Sequence, residues 1–263
     1  MARLRTPAPT AATCARARIL YPHTPLKIPL PDTAQARVRE HRLRHLRQVL
    51  FAALIVAVIC VACGSDRSDT VSIEAARHLP PGTAVTVKGF VTVPPNLFAS
   101  FTGEQGFAVE DATGGIYVAL ESRANFPLGK EIRVTGQLAD IAKLLTVASR
   151  VEQVEPLTRQ LVVQPALVTT GAVGATTEGR LVRVQGPITR PIGDDRPYGY
   201  KIFLDDGSGE TQVFVPVSTG IDPFALPGLR VGQRLAAVGF SGRFNETYEV
   251  IPRFAADLTV AAP

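Results

Sequence analysis

The chain has 263 residues, room for one large domain or two of ordinary size, and its 46% apolar share supports a packed core and excludes a wholly disordered protein. The net charge of +5 is unevenly spread: residues 1–63 hold ten Lys/Arg against two Asp/Glu, leaving 18 against 21 in the rest. Basicity belongs to the N-terminal segment, so overall charge gives no reason to expect a phosphate-binding surface in the part that folds.

Residues 1–37 are rich in Pro, Ala and Arg without clear periodicity, and Met1 is the only methionine. They sit oddly ahead of a signal-like segment, and translation starting near Val38 would remove them. Arg39, His41, Arg42, Arg44, His45 and Arg47 then lead into the apolar stretch Val49 to Cys63. Fifteen residues are short for a membrane span, which needs about 20, but suit the apolar region of a signal peptide. The stretch ends Cys60-Val-Ala-Cys63-Gly-Ser65 and turns polar at Asp66-Arg67-Ser68-Asp69. This resembles the lipobox of bacterial lipoproteins, with Cys63 as the lipidated residue; Cys60 departs from the leucine usual at its position. The resemblance implies a lipid-anchored envelope protein outside the cytoplasm. An uncleaved N-terminal anchor is the alternative, and it places the rest of the chain on the same side. All three cysteines, Cys14, Cys60 and Cys63, lie in this leader, so the remainder has no disulfide, thiolate metal site or cysteine nucleophile.

Beyond a linker at 64–70, Ser72–His78 reads as a short helical turn with Ser72 as its N-cap and Glu74 near its positive end. After it, one pattern occurs twice. Gly82-Thr-Ala-Val-Thr-Val-Lys-Gly89 matches Gly179-Arg-Leu-Val-Arg-Val-Gln-Gly186, and Glu110-Asp-Ala-Thr-Gly114 matches Asp205-Asp-Gly-Ser-Gly209. Gly129…Gly136 matches Gly232…Gly239, and Leu145–Val147 matches Tyr248–Val250 at the same spacing. Four blocks in one order indicate a duplication, with units at 71–158 and 163–263 and a break near Thr158–Val163. Alternation predicts strands at Ala84–Val91, Gly106–Glu110, Gly115–Leu120, Glu131–Leu138 and Leu144–Val151. In the second copy it predicts Arg180–Pro187, Tyr200–Asp205, Thr211–Pro216, Arg234–Phe240 and Thr247–Pro252. The expected fold class is all-β, two tandem five-stranded barrels, because closure removes sheet edges.

Phe203-Leu-Asp-Asp-Gly-Ser-Gly209, Val213-Phe-Val215, Gly232-Gln233 and Val238-Gly239 resemble the core of OB-fold domains. The first copy, with Val93-Pro-Pro95 and Glu110…Tyr117, is similar to OB domains attached to secreted bacterial nucleases. The resemblance covers about residues 70–260. It implies binding of an oligonucleotide or oligosaccharide over strands two and three and the loops after strands one and four. No nuclease is part of the chain, although a secreted nuclease or an envelope protein could be its partner.

Alternation in the second copy puts Ile202, Leu204, Val213 and Val215 inward and Lys201, Phe203, Gln212 and Phe214 outward. Exposed rings on the middle strands are what stacks bases. In the first copy the counterpart of Phe214 is Tyr117, while Phe203 becomes Ala108. These rings equally suit packing under a loop or against the other barrel. Arg190 and Tyr198 in the loop after strand one, with Arg243 and Phe244 after strand four, would face a polyanion or sugar, or stand as solvated loop residues. The resulting candidate ligand residues are Lys201, Phe203, Phe214, Arg190, Tyr198, Arg243, Phe244 and Tyr117, and any nucleic-acid binding is expected to be weak and salt-dependent.

Asp194-Asp195 and Asp205-Asp206 lack the regular spacing of a calcium loop and suit tight turns. His78 is the only histidine after the leader, and no H-E-x-x-H, P-loop or G-x-S-x-G motif occurs. These features point to a non-enzymatic binding protein without cofactor or metal, with single-stranded nucleic acid as the leading ligand. A protein partner or glycan is the alternative.

Overall fold

Alternating Val, Ile and Phe build one apolar wall per strand, and the sheet curls so that those walls meet. The computed structural model describes residues 70–98 and 105–260. The basic leader, the lipobox with Cys63 and the linker up to Asp69 lie outside the described residues. Those described all belong to one compact unit, Arg67–Pro263.

A short helix α1 (Ile73–Arg77) opens this unit, with the Ser72 hydroxyl accepting from the Ala75 amide as its N-cap. Strands β1 (Ala84–Val93), β2 (Gln105–Glu110), β3 (Gly115–Leu120), β4 (Lys130–Ile141) and β5 (Leu144–Ser149) follow. They run in the order β1-β2-β3-β5-β4, and β4 closes on β1 over seven residue pairs. The β3–β5 ladder is parallel and the others antiparallel. This is the OB-type barrel. Val87, Phe107, Val109, Ile116, Val118, Ile132, Val134 and Val147 fill it, and Ile73 and Ala76 of α1 pack into the same core.

The second barrel uses β8 (Leu181–Pro187), β10 (Gly199–Asp205), β11 (Glu210–Pro216), β12 (Arg234–Phe244) and β13 (Thr247–Ile251). Between these lie β6 (Val154–Gln160), β7 (Ala166–Leu167) and β9 (Gly193–Asp195), with β14 (Leu258–Val260) at the end. Its order, β8-β12-β13-β11-β10, repeats that of the first, with a parallel β11–β13 ladder. Closure differs: β8 and β10 meet at the single bridge Ile188↔Leu204, backed by the Thr189 amide on the Phe203 carbonyl. The second sheet therefore stays open where the first is sealed.

The registers of the two barrels correspond throughout. Gly89 faces Ile132 as Gly186 faces Leu235, Glu110 faces Gly115 as Asp205 faces Glu210, and Tyr117 faces Thr146 as Gln212 faces Glu249. The ends of the turns match as well. Asp111 accepts from the Ile73 amide at 2.9 Å, and Asp206 accepts from the Thr170 amide at 3.2 Å. Burial opposes charge on Asp111, but hydrogen bonds from the Thr113 hydroxyl and from the Ile73, Thr113 and Gly114 amides hold its carboxyl below the usual range. Asp111 and Asp206 each hold their own turn and cap the chain that leads into the barrel.

Strands β6, β7, β9 and β14 go beyond the sequence expectation. β6 runs through Gln160, past the break expected from Thr158, and lies along β4. Its exposed Glu155 and Arg159 make ion pairs with Arg133 and Glu131, and Arg159 sits over the Phe90 ring at 5.2 Å. An edge strand held by such side chains carries little apolar alternation to betray it.

The barrels dock through backbone as much as through side chains. The Leu181 amide donates to Glu110 Oε2 at 2.9 Å, Arg77 pairs with Glu178 at 2.8 Å, and the Asn245 amide donates to the Ala142 carbonyl at 2.7 Å. Burial pushes the Glu110 carboxyl above its ordinary range despite the Leu181 amide and the Arg180 guanidinium. Gly115 and Gly179 lie face to face: a Cβ on either would fall inside van der Waals contact with the other's carbonyl, and Gly179 has φ +87°. Gly179→Ala is expected to lower stability by about 1–3 kcal/mol through overpacking, before any backbone strain. Urea unfolding measures this, and an unchanged midpoint would rule out the close approach.

Candidate functional site

Along β10 and β11 the inward parity falls on Ile202, Leu204, Val213 and Val215, all buried in the second core. The outward parity falls on Lys201, Phe203, Gln212 and Phe214, each half-buried. The antiparallel register sets Lys201 opposite Phe214 and Phe203 opposite Gln212, and the parallel ladder carries the second row on to Glu249. Four side chains expected from sequence thus stand on one face with Arg190, whose guanidinium carbon lies 3.9 Å from the Phe203 ring centroid. The end of the Phe214 ring lies over Gly199, where a Cβ would come within 2.6 Å of Cζ. A bare glycine leaves room for the ring end to approach the backbone.

Each cation on this face already has a carboxylate. Arg190 pairs with Glu210, its Nε at 3.2 Å, and Lys201 pairs with Asp195 at 2.8 Å. Between the aromatic rows, Gln212 Nε2 donates to Glu249 Oε2 at 2.6 Å. Glu249 points outward yet is 6% exposed, and burial pushes its carboxyl up to about 7, against the Gln212 hydrogen bond and the Lys201 charge. Sequence reasoning missed Glu249, whose position on an outward parity gave no sign that it would be covered.

The remaining candidates scatter. Phe244 is exposed at the tip of β12. Arg243 stacks on Tyr248 at 4.9 Å and donates to the Asn245 carbonyl, at the hairpin tip that touches the first barrel. Tyr198 is 58% exposed, but it lies ahead of β10 at the end away from Arg190, where the Val217 amide bonds its carbonyl. Val217 and Phe224 are exposed on that end too, with the Phe224 ring 5.7 Å from Tyr200.

Tyr117 is a correction on two counts. Its register partner in the second barrel is Gln212, and the counterpart of Phe214 is Ala119. It is also 5% exposed, packed between the barrels with its ring 5.8 Å from Phe240. Val93, Phe98 and Ala108 complete that cluster, with Leu97, Leu144 and Ile251 at its margin. The face of the first barrel equivalent to the β10–β11 face is thus covered by the second barrel.

Among the described residues no group of His, Cys, Asp and Glu could hold a metal ion. No protein-family model matches the chain, and no curated protein does. Solved structures do show similarity. A murine DNA-binding protein bound to double-stranded DNA is 11% identical over 68% of this chain and 97% of its own, with a TM-score of 0.37. The OB domain of a Thermoplasma acidophilum protein is 16% identical over 36% of this chain and 92% of its own, at 0.27. A replication protein A heterotrimer bound to single-stranded DNA is 14% identical over 70% of this chain and 50% of its own, at 0.28. The barrels are established by their strand ladders and take nothing from these values.

Proposed function

We propose that this is an exported, non-enzymatic protein whose second barrel binds single-stranded nucleic acid or an oligonucleotide across β10 and β11. The observation that carries this reading is one face bearing Phe203 under the Arg190 guanidinium and Phe214, its ring end over Gly199, opposite Lys201. A base stacks on Phe214, worth about 1–3 kcal/mol, and a neighbour stacks on the outer plane of Arg190. Arg190 and Lys201 then exchange Glu210 and Asp195 for phosphates. Two such contacts give a log-log salt slope of about −1.4, at about 0.7 per phosphate on a single strand.

Fluorescence anisotropy of a labelled single-stranded DNA oligonucleotide, titrated at low and moderate salt, tests this. Saturable binding with that slope supports it; no binding at low salt overturns it. The second reading, a protein or glycan partner, draws on the exposed Tyr198, Val217 and Phe224 at the far end of the barrel. Such binding would respond little to salt and would be lost in Phe224→Asp.

Export and anchoring belong to the same proposal and draw on the basic run, apolar stretch and lipobox-like end of the leader. Cys63→Ser is expected to abolish incorporation of labelled palmitate in a bacterial host. Labelling that survives the substitution refutes lipidation at that residue.

A further inference from the structure

The contact between the barrels joins two different faces. The first barrel presents Val93, Ala108, Tyr117 and the 92–98 segment; the second receives them on Phe240 and Ile251. Two side chains of the second barrel clamp the segment: Arg253 Nη1 donates to the Thr92 carbonyl at 2.9 Å and the Ser218 hydroxyl to the Leu97 carbonyl at 2.9 Å. A contact between unlike faces leaves one of each unused at the two ends, and such contacts can continue from copy to copy.

Both unused faces are present. Carried through the shared register, Phe240 and Ile251 of the receiving face and Leu181 beside Phe240 become Gln137, Ala148 and Ala84 in the first barrel, and Arg150 follows Ala148 by two residues as Arg253 follows Ile251. All four are exposed, and they line a groove of about 840 Å³ that also holds Glu121. On the presenting side, Thr92, Val93 and Ala108 become Thr189, Arg190 and Phe203. The presenting face gains a ring at Phe203 where it had Ala108 and gives one up at Gln212 where it had Tyr117, and the receiving face loses bulk at the positions of Leu181, Phe240 and Ile251.

We propose that the chain associates head to tail with a second copy of itself, Phe203 of one copy entering the groove between Ala84 and Ala148 of the next. Arg150 donates to the Thr189 carbonyl of the incoming copy, as Arg253 does to Thr92 within the chain. Glu121 takes Arg190 from Glu210. Phe203 also belongs to the proposed ligand face, so a second copy and an oligonucleotide exclude each other, but the association itself needs no nucleic acid.

Sedimentation velocity of the full chain, free of nucleic acid, over a concentration series tests it. The expected result is a progression past the dimer for the unaltered chain. Ala148→Arg, which fills the groove, and Phe203→Glu, which spoils the presenting face, each stay monomeric alone. Mixed in equal amounts, the two form a dimer and nothing larger, because each supplies the end the other lacks. Gln137→Arg serves as a second groove block should Ala148→Arg fail to fold. A monomer at every concentration, or a dimer that survives in either single variant, overturns the proposal. Ala148→Arg loses only the competing copy, so it is expected to bind the oligonucleotide as the unaltered chain does at high dilution and more tightly at concentrations where that chain associates, and the ligand reading and this one stand or fall separately.

Discussion

Phe214→Ala is expected to weaken binding of a single-stranded oligonucleotide by about 1–3 kcal/mol, roughly one to two decades in Kd. The ring stands on an outward parity and its removal opens no core cavity, since Val213 and Val215 supply the buried side of β11. Stability should therefore change far less than affinity. Gly199→Ala is the harsher companion: a Cβ there meets the Val215 carbonyl oxygen at 2.5 Å and Phe214 Cζ at 2.6 Å, so it displaces the ring together with the β10–β11 backbone. A position-dependent stacking platform predicts loss in both variants, measured by the same anisotropy titration. If Phe214→Ala binds like the unaltered chain, the face is not the ligand site.

Glu249→Gln should flatten part of the pH dependence of stability. The folded carboxyl titrates at about 7, while an ordinary glutamate titrates near 4.5. Between these values the folded chain holds a proton that the unfolded chain has released. Stability from this group is present below about pH 4.5 and is lost as pH rises through 7. The shift corresponds to about 3 kcal/mol at 1.36 kcal/mol per unit. Glutamine keeps an oxygen to accept from Gln212 and carries no titrating proton. Relative to the unaltered chain, the variant should gain up to that amount between pH 4.5 and pH 8, read from urea midpoints at both ends. Parallel curves would mean that Glu249 is charged in the folded state at neutral pH.

Much of this was legible in the residues. Valines two apart between glycines seven apart located the walls of both barrels. The outward parity of Phe203 and Phe214 followed from the same alternation. The covered face of the first barrel was also written there, in a form that alternation does not read. Gly115-Ile-Tyr-Val-Ala-Leu120 is apolar without a break, and all six residues are buried. A strand covered on both sides reads as a continuous run rather than an alternating one. Setting Tyr117 against Phe214 is two residues out of the spacing that pairs Ala108 with Phe203. The equal lengths of the Glu110…Gly115 and Asp205…Glu210 turns fix its partner as Gln212. The Lys201–Asp195 and Arg190–Glu210 pairs were hidden for another reason. They join side chains from different elements that only folding brings together.

The paired backbones at Gly115 and Gly179 carry a consequence for how the molecule comes apart. With the bare face of each glycine set against the other's carbonyl and the Leu181 amide bound to the buried Glu110 carboxyl, neither barrel can swing or separate without exposing Phe240, Tyr117 and Glu110 to water. The two halves should melt in one calorimetric transition whose van't Hoff and measured enthalpies agree. A protease nick in the exposed Leu161–Val162 connection would leave two fragments that still travel as one particle.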